Sequence, residues 1–313
     1  MDVCVVGSGV IGSIYGHVLA EAGNDVTHLV RPDRVSRLGD GVEFRLLDAR
    51  TGGEVHVRYR PRLAGALDPD RPYELILASV RHYQLPDLLP VLTTGAGPAD
   101  IVFFGNLWTS FEPVDACLRG RYVWGFPVAG GGFEGHVLHA ALLGDVQLGC
   151  PAGCPAQRVE RVSRMFSGCG LRVEMQPDIL AWLWVHFAVE AGVIASAIKA
   201  GSVEEFLGST DRLGEAVLAV RDALAVVRAR GVDVEAQPGA QMFAAPERVV
   251  AQSIKELYEV DRAARRIMER HTGGVELARI YSDVVSTGRE LGVGMPALEP
   301  LGPFVGALST GAA

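Results

Sequence analysis

The chain has 313 residues, 29 Lys plus Arg against 37 Asp plus Glu, and a net charge of −8, a length that suits two domains, each burying its own core. The acidic balance argues against nucleic acid as a partner, although a few arginines and a helix terminus can still reverse the sign inside a cleft. No uncharged apolar run reaches the roughly 18 residues of a membrane span, and the apolar amino terminus lacks the basic flank of a signal peptide, so a cytoplasmic protein without a membrane partner is expected.

The first strand, Asp2 to Val6, runs directly into Gly7-Ser8-Gly9-Val10-Ile11-Gly12. This is the glycine fingerprint of a dinucleotide site in its proper context, after an apolar β run and at the start of an amphipathic helix carrying Ile14, Val18 and Leu19. Gly7 is expected to make the tight turn, Gly9 to admit a pyrophosphate, and Gly12 to let helix and strand pack closely. The backbone of Ser8, Val10 and Ile11 would then face the phosphates at the helix amino end. A second strand, Asp25 to Val30, is followed by Arg31, with Arg34 close behind. An NAD site usually has Asp or Glu there, whereas a 2′-phosphate calls for a guanidinium, so the cofactor reading is NADP(H). Solvated surface arginines are the alternative.

A charged hairpin follows (42–59), then strands at Leu75 to Val80, Asp100 to Phe104, Tyr122 to Phe126 and Val137 to Leu148. This is the grammar of a doubly wound parallel sheet with an antiparallel addition, an α/β fold. From about Pro155 the pattern becomes helical: a connecting helix at Ala156 to Phe166, a strand at Leu171 to Met175, and long 3.6-period segments at 178–200, 211–230, 247–270 and 275–291. The expected division is a Rossmann-type cofactor domain at 1–176 and a helical substrate domain at 177–313. Of the five cysteines (Cys4, Cys117, Cys150, Cys154, Cys169), only Cys150 and Cys154 are close in sequence; no usual zinc spacing occurs, so free thiols and no metal are expected.

In order, Gly7 to Gly16, Arg31, Ser79-Val80-Arg81-His82-Tyr83-Gln84, Asn106, Leu183-Trp184-Val185-His186, Glu276 and the Arg289-Glu290-Leu291-Gly292-Val293 ending before Pro296 resemble the landmarks of the ketopantoate reductase family. The resemblance implies a Rossmann-type domain followed by an all-helical one of the 6-phosphogluconate dehydrogenase C-terminal-like type. It also implies reduction of a 2-oxo acid with NADPH, with a helix lysine as proton donor. Arg81 stands where the family has a cofactor-binding lysine, and Asn106 is placed to position cofactor or substrate. The catalytic lysine position holds His186, and Glu190 replaces a substrate-binding asparagine one turn later. Before Glu276, where family members carry a serine and an acid for substrate, this chain reads Ala263-Ala264-Arg265-Arg266-Ile267-Met268.

His186 and Glu190 are four apart, so on a helix they share a face. A carboxylate there is expected to raise the imidazole pKa and hold its tautomer, making His186 a proton donor near neutral pH. A core-flanking histidine satisfied by Glu190 is the alternative. Trp108, Trp182, Trp184 and Phe187 are either core or the lining of a larger apolar pocket. These features suggest an NADPH-dependent reductase of a carbonyl or imine other than ketopantoate, in specialised metabolism. His186, Asn106, Glu190 and Glu276 are its catalytic candidates; a small molecule is its substrate, and a homodimer is compatible with the reading. A non-redox cyclisation or isomerisation of a large apolar substrate on the same scaffold is the second reading, and a cofactor-sensing or structural protein the third.

Overall fold

The computed structural model describes residues 1–68, 72–270 and 274–310. Its contacts divide the chain into two units, Met1–Leu180 with Arg266–His271, and Ala181–Arg265 with Thr272–Ala313.

The first unit is built on ten strands: β1 (Asp2–Val6), β2 (Asp25–Leu29), β3 (Val42–Asp48), β4 (Gly53–Tyr59), β5 (Arg62–Ala64), β6 (Leu75–Ala78), β7 (Asp100–Phe104), β8 (Tyr122–Glu134), β9 (Val137–Gly149) and β10 (Arg172–Met175). The sheet order is β4-β3-β9-β8-β7-β6-β1-β2-β5, with β10 also paired to β9. From β8 to β5 every neighbouring pair is parallel, whereas β8–β9 and β3–β4 are antiparallel. Strands β1, β6 and β7 lie mid-sheet and are apolar on both faces, as a parallel sheet covered by helices requires; Val3, Cys4, Val5, Ile76, Leu77, Ile101, Val102 and Phe103 are fully buried.

The helix Val10–Glu21 buries Ile14, Tyr15, Val18 and Leu19 in this unit's core. Tyr15 meets Phe104 edge-on at 4.6 Å, and Phe104 stacks on Phe166 from the helix Ala156–Gly168 at 5.4 Å. That second helix is tied to the start of β7 by Arg158 and Arg161, which donate to Asp100 at 2.7 and 2.8 Å. The strand after Tyr122 is longer than its apolar run suggested. It continues through Ala129-Gly130-Gly131-Gly132 because those glycines let other backbone approach: a Cβ at Gly131 would meet the His139 carbonyl and one at Gly132 the Arg270 carbonyl. Residues 266–270 pack here, with Ile267 against Gly130, Arg266 paired to Glu54 at 2.8 Å and Arg270 to Glu134 at 2.8 Å.

Two expectations are corrected. Cys150 and Cys154, expected as free thiols, are joined in a disulfide with a Cα separation of 5.7 Å, inside the range a disulfide bridges; Cys4, Cys117 and Cys169 remain thiols. The periodic segment 247–270, read as one helix, is two: Glu247–Val260 and Arg262–Arg270. Asp261 between them is extended (φ −87°, ψ 94°), and its carboxylate accepts from the amides of Ala263 and Ala264 at 2.9 Å, an N-cap that starts a new helix.

The second unit is helical, with Ile179–Ala200 (from Ala181), Val203–Leu207, Thr210–Ala229, Glu247–Val260, Gly274–Glu290 and Gly302–Thr310 as its main elements. Glycines set its closest approaches: a Cβ at Gly192 would lie 2.7 Å from the Val220 backbone, and one at Gly288 would strike Met295. Asp222 accepts from the amides of Ala297 and Leu298 at 2.6 and 2.9 Å, fixing the carboxy-terminal turn on the long helix Thr210–Ala229. The helix Ile179–Ala200 is long and apolar enough to cross a bilayer by length and composition. Its residues Leu183, Val185, Phe187, Ala188, Ala191 and Ala195 are buried in the fold, as in a core helix.

Candidate functional site

Four adjacent parallel strands, β2-β1-β6-β7, end at the same edge of the sheet, and their carboxyl ends carry the predicted cofactor residues. Val6 pairs with Leu29 on one side and Ala78 on the other. The chain order turns around between β1 and β6, which is where ligands settle on an open α/β sheet. Gly7 follows β1 with φ +105°, and a Cβ on it would sit 2.1 Å from the Ser79 carbonyl oxygen. A Cβ on Gly12 would sit 2.2 Å from the Gly7 carbonyl, so only glycine lets the helix Val10–Glu21 lie this close to its own strand. Around Gly9 the situation is the opposite: among the described residues nothing lies within 4 Å of a Cβ built there. Gly9 is also the N-cap, with no side chain to occupy the first helical amides of Val10 and Ile11, and its carbonyl accepts from Ser13 at 3.0 Å. A tight turn, a close helix and an open amide-lined face fit a dinucleotide pyrophosphate.

Arg31 is exposed beyond β2 and leads into the helix Pro32–Gly39 in extended backbone geometry. The Arg34 side chain lies outside the described residues. Arg81 caps the short turn His82–Gln84; its amide donates to Gln84 Oε1 at 3.1 Å and its guanidinium to the Tyr83 hydroxyl at 3.0 Å. Asn106 lies two residues past β7 with its Oδ1 shielded from solvent. This part of the unit thus gathers Gly7 to Gly12, Arg31, Arg81 and Asn106 at one sheet edge.

His186 and Glu190 share a face of the helix Ile179–Ala200, with Nε2 and Oε2 3.9 Å apart, beyond hydrogen-bond distance. The imidazole lies flat on Trp182, ring centroids 5.2 Å apart and 6° from parallel. Its side chain is 36% exposed, yet desolvation holds its pKa down to about 4. This corrects the expected upward shift: the carboxylate is too far to outweigh the loss of water around the ring. At neutral pH His186 is therefore an uncharged imidazole, able to donate one hydrogen bond and accept another. Glu276 is in the first turn of the helix Gly274–Glu290.

Phe187 and Trp108 are buried, while Trp184 is covered by Arg230, whose guanidinium carbon is 3.3 Å from the ring centroid. Arg230, shifted down to about 10 by burial, stays charged at neutral pH. Nothing in the local sequence pointed to it, since its partner Trp184 is on a different helix. Within the stretch Ala263 to Met268, Arg266 and Ile267 pack on the first unit's strands.

Residues 3–153 match the family described as ketopantoate reductase PanE/ApbA. A 2-dehydropantoate 2-reductase of Pyrococcus horikoshii is 23% identical over 261 residues, covering 83% of this chain and 81% of that protein. Among solved structures, 2-dehydropantoate 2-reductase from Geobacter metallireducens superposes with a TM-score of 0.73 at 18% identity, covering 98% of this chain and 99% of that one. A ternary structure of D-mandelate dehydrogenase with NADH and anilino(oxo)acetate gives 0.73 at 14% identity, covering 98% of each chain. At such identities the structural likeness is one of fold.

Proposed function

We propose that this chain, whose residues 3–153 match the family described as ketopantoate reductase PanE/ApbA, is an NADPH-dependent reductase of a small carbonyl or imine substrate other than ketopantoate, working in the cytoplasm in specialised metabolism. The observation that carries this reading is the pairing of an intact nucleotide cradle with a changed polar set. Gly7, Gly9 and Gly12 keep the close approaches and open face that a pyrophosphate needs, while the sequence resemblance implies that His186 and Glu190 stand where the family has lysine and asparagine. When bound, the reduced nicotinamide supplies a hydride to the substrate carbon. Arg31 would hold the 2′-phosphate, and Asn106 would position cofactor or substrate by hydrogen bonding. His186, neutral and braced against Trp182, would donate a hydrogen bond to the oxygen or nitrogen that gains charge as the hydride arrives, and a proton from solvent water completes the alcohol or amine. Glu190 would orient that ring, and Glu276 would orient the substrate.

The test is to incubate the full chain with NADPH and a panel of 2-oxo acids, ketones and cyclic imines, following loss of the reduced nicotinamide's absorbance. Turnover of at least one panel member, with ketopantoate inert, is the expected outcome. Brisk ketopantoate turnover contradicts the changed substrate. Product formed with no NADPH consumed contradicts hydride transfer and favours the cyclase or isomerase reading.

A further inference from the structure

Within the helical unit, three segments converge on a cavity of about 260 Å³ lined by Glu204, Leu207, Gly208, Lys255, Tyr258, Glu259 and Arg265. At water's liquid share of about 30 Å³ each, it holds roughly nine non-hydrogen atoms, fewer than a drug-sized ligand. Lys255 is one of only two lysines in the chain. The other, Lys199, is tied to Glu215 outside this cavity. Lys255 Nζ and Glu259 Oε1 form an i,i+4 ion pair at 4.0 Å, beyond hydrogen-bond distance.

The lining carries both signs of charge. Lys255, Tyr258 and Arg265 are half-buried, whereas Glu204 and Glu259 are exposed, so two cations and a phenol donor line the same cavity as two carboxylates. Burial also pushes the Tyr258 phenol up, which keeps it a hydrogen-bond donor throughout the neutral range. Leu207, itself buried, supplies an apolar wall. A ligand bearing only a carboxylate meets the repulsion of Glu204 and Glu259, and one bearing only an ammonium meets that of Lys255 and Arg265.

We propose that this cavity binds a small zwitterion of the α-amino acid class, its carboxylate against Lys255, Arg265 and the Tyr258 hydroxyl and its ammonium toward Glu204 and Glu259. The proposal goes beyond the reductase reading and stands without it, since every residue it uses belongs to the helical unit.

Calorimetric titration and thermal melting of the full chain with L-leucine test it, with isocaproate and isoamylamine as analogues that each keep one charge. L-leucine is expected to bind and to raise the melting temperature, with each analogue weaker by about tenfold or more. Lys255→Met and Glu204→Gln should each weaken L-leucine by a similar factor, while Lys199→Met leaves its binding unchanged. Equal binding by an analogue, wild-type affinity in both cavity variants, or no binding by either L-leucine or the smaller L-alanine overturns the proposal. Adding oxidised and then reduced cofactor separates the sources of such a ligand: turnover marks a substrate, and binding without turnover marks a regulatory ligand.

Discussion

At residue scale the chemistry turns on His186. A lysine in that position would bring a permanent charge; this imidazole is held neutral, with its pKa down at about 4. If its role is to donate a hydrogen bond from the neutral ring, kcat/KM should be flat from about pH 5 upward until another group titrates. His186→Ala should lower kcat/KM by roughly 10²-fold or more, and His186→Asn, which keeps an N–H donor, should recover part of that loss. A profile that falls as pH rises through 7 would show an imidazolium donor instead, and an unchanged His186→Ala would remove His186 from the site. The pairing of His186 with Glu190 was legible from their spacing, because helical geometry fixes which side chains are neighbours. The sign of the pKa shift was not. It depends on Trp182 lying flat against the ring and on a 3.9 Å gap to Glu190, both set by rotamers that no spacing rule specifies. Arg230 on Trp184 was hidden for a related reason, since a contact between helices has no local signature.

At the scale of elements, the fingerprint helix rests on a buried polar cluster with consequences for acid stability. His28 on β2 is 1% exposed, bonds through Nε2 to the Tyr59 hydroxyl at 3.1 Å, and lies where a Cβ on Gly16 of the fingerprint helix would strike it. Burial holds His28 down to about 4 and also lowers His17 on the same helix, from an ordinary 6.5. A base whose folded pKa is depressed is bound less by protons in the folded state. Its contribution is therefore complete above the unfolded pKa and lost as pH falls through the folded one. Stability should decline from about pH 6.5 to about 4, by roughly 3 kcal/mol for His28 alone at one pKa unit per about 1.4 kcal/mol. Thermal melts across that range measure it, and His28→Gln should flatten the slope; a melting temperature that ignores pH there would refute the assignment. The strands of this region were plain in the sequence because central parallel strands are unbroken apolar runs. The break at Asp261 was not, because the helical period carries across it and only the carboxylate's choice of the Ala263 and Ala264 amides reveals a cap. The short edge strand β5 was missed as well; three residues give too little pattern, and its place is set by pairing with β2.

For the whole molecule, the order of landmarks along the chain proved more informative than any one motif. Gly7, Gly9 and Gly12 name a nucleotide fold wherever a strand and helix surround them, but only Arg81, Asn106, the Trp184 and His186 pair and Glu276 in sequence indicate the ketopantoate reductase plan. The fold was legible because those landmarks fall in order along the chain, while the substrate was not, because the stretch Ala263 to Met268 carries no pattern that names a ligand. In the proposed reductase the nucleotide cradle serves NADP(H) chemistry through Arg31. Titrating the full chain with NADPH and with NADH, in the wild type and in Arg31→Asp, tests it most directly. NADPH should bind tighter than NADH by about tenfold or more, and Arg31→Asp should abolish or reverse that preference. Equal affinity for the two cofactors with no effect of the substitution, or no binding of either, would rule out NADP(H) recognition by Arg31.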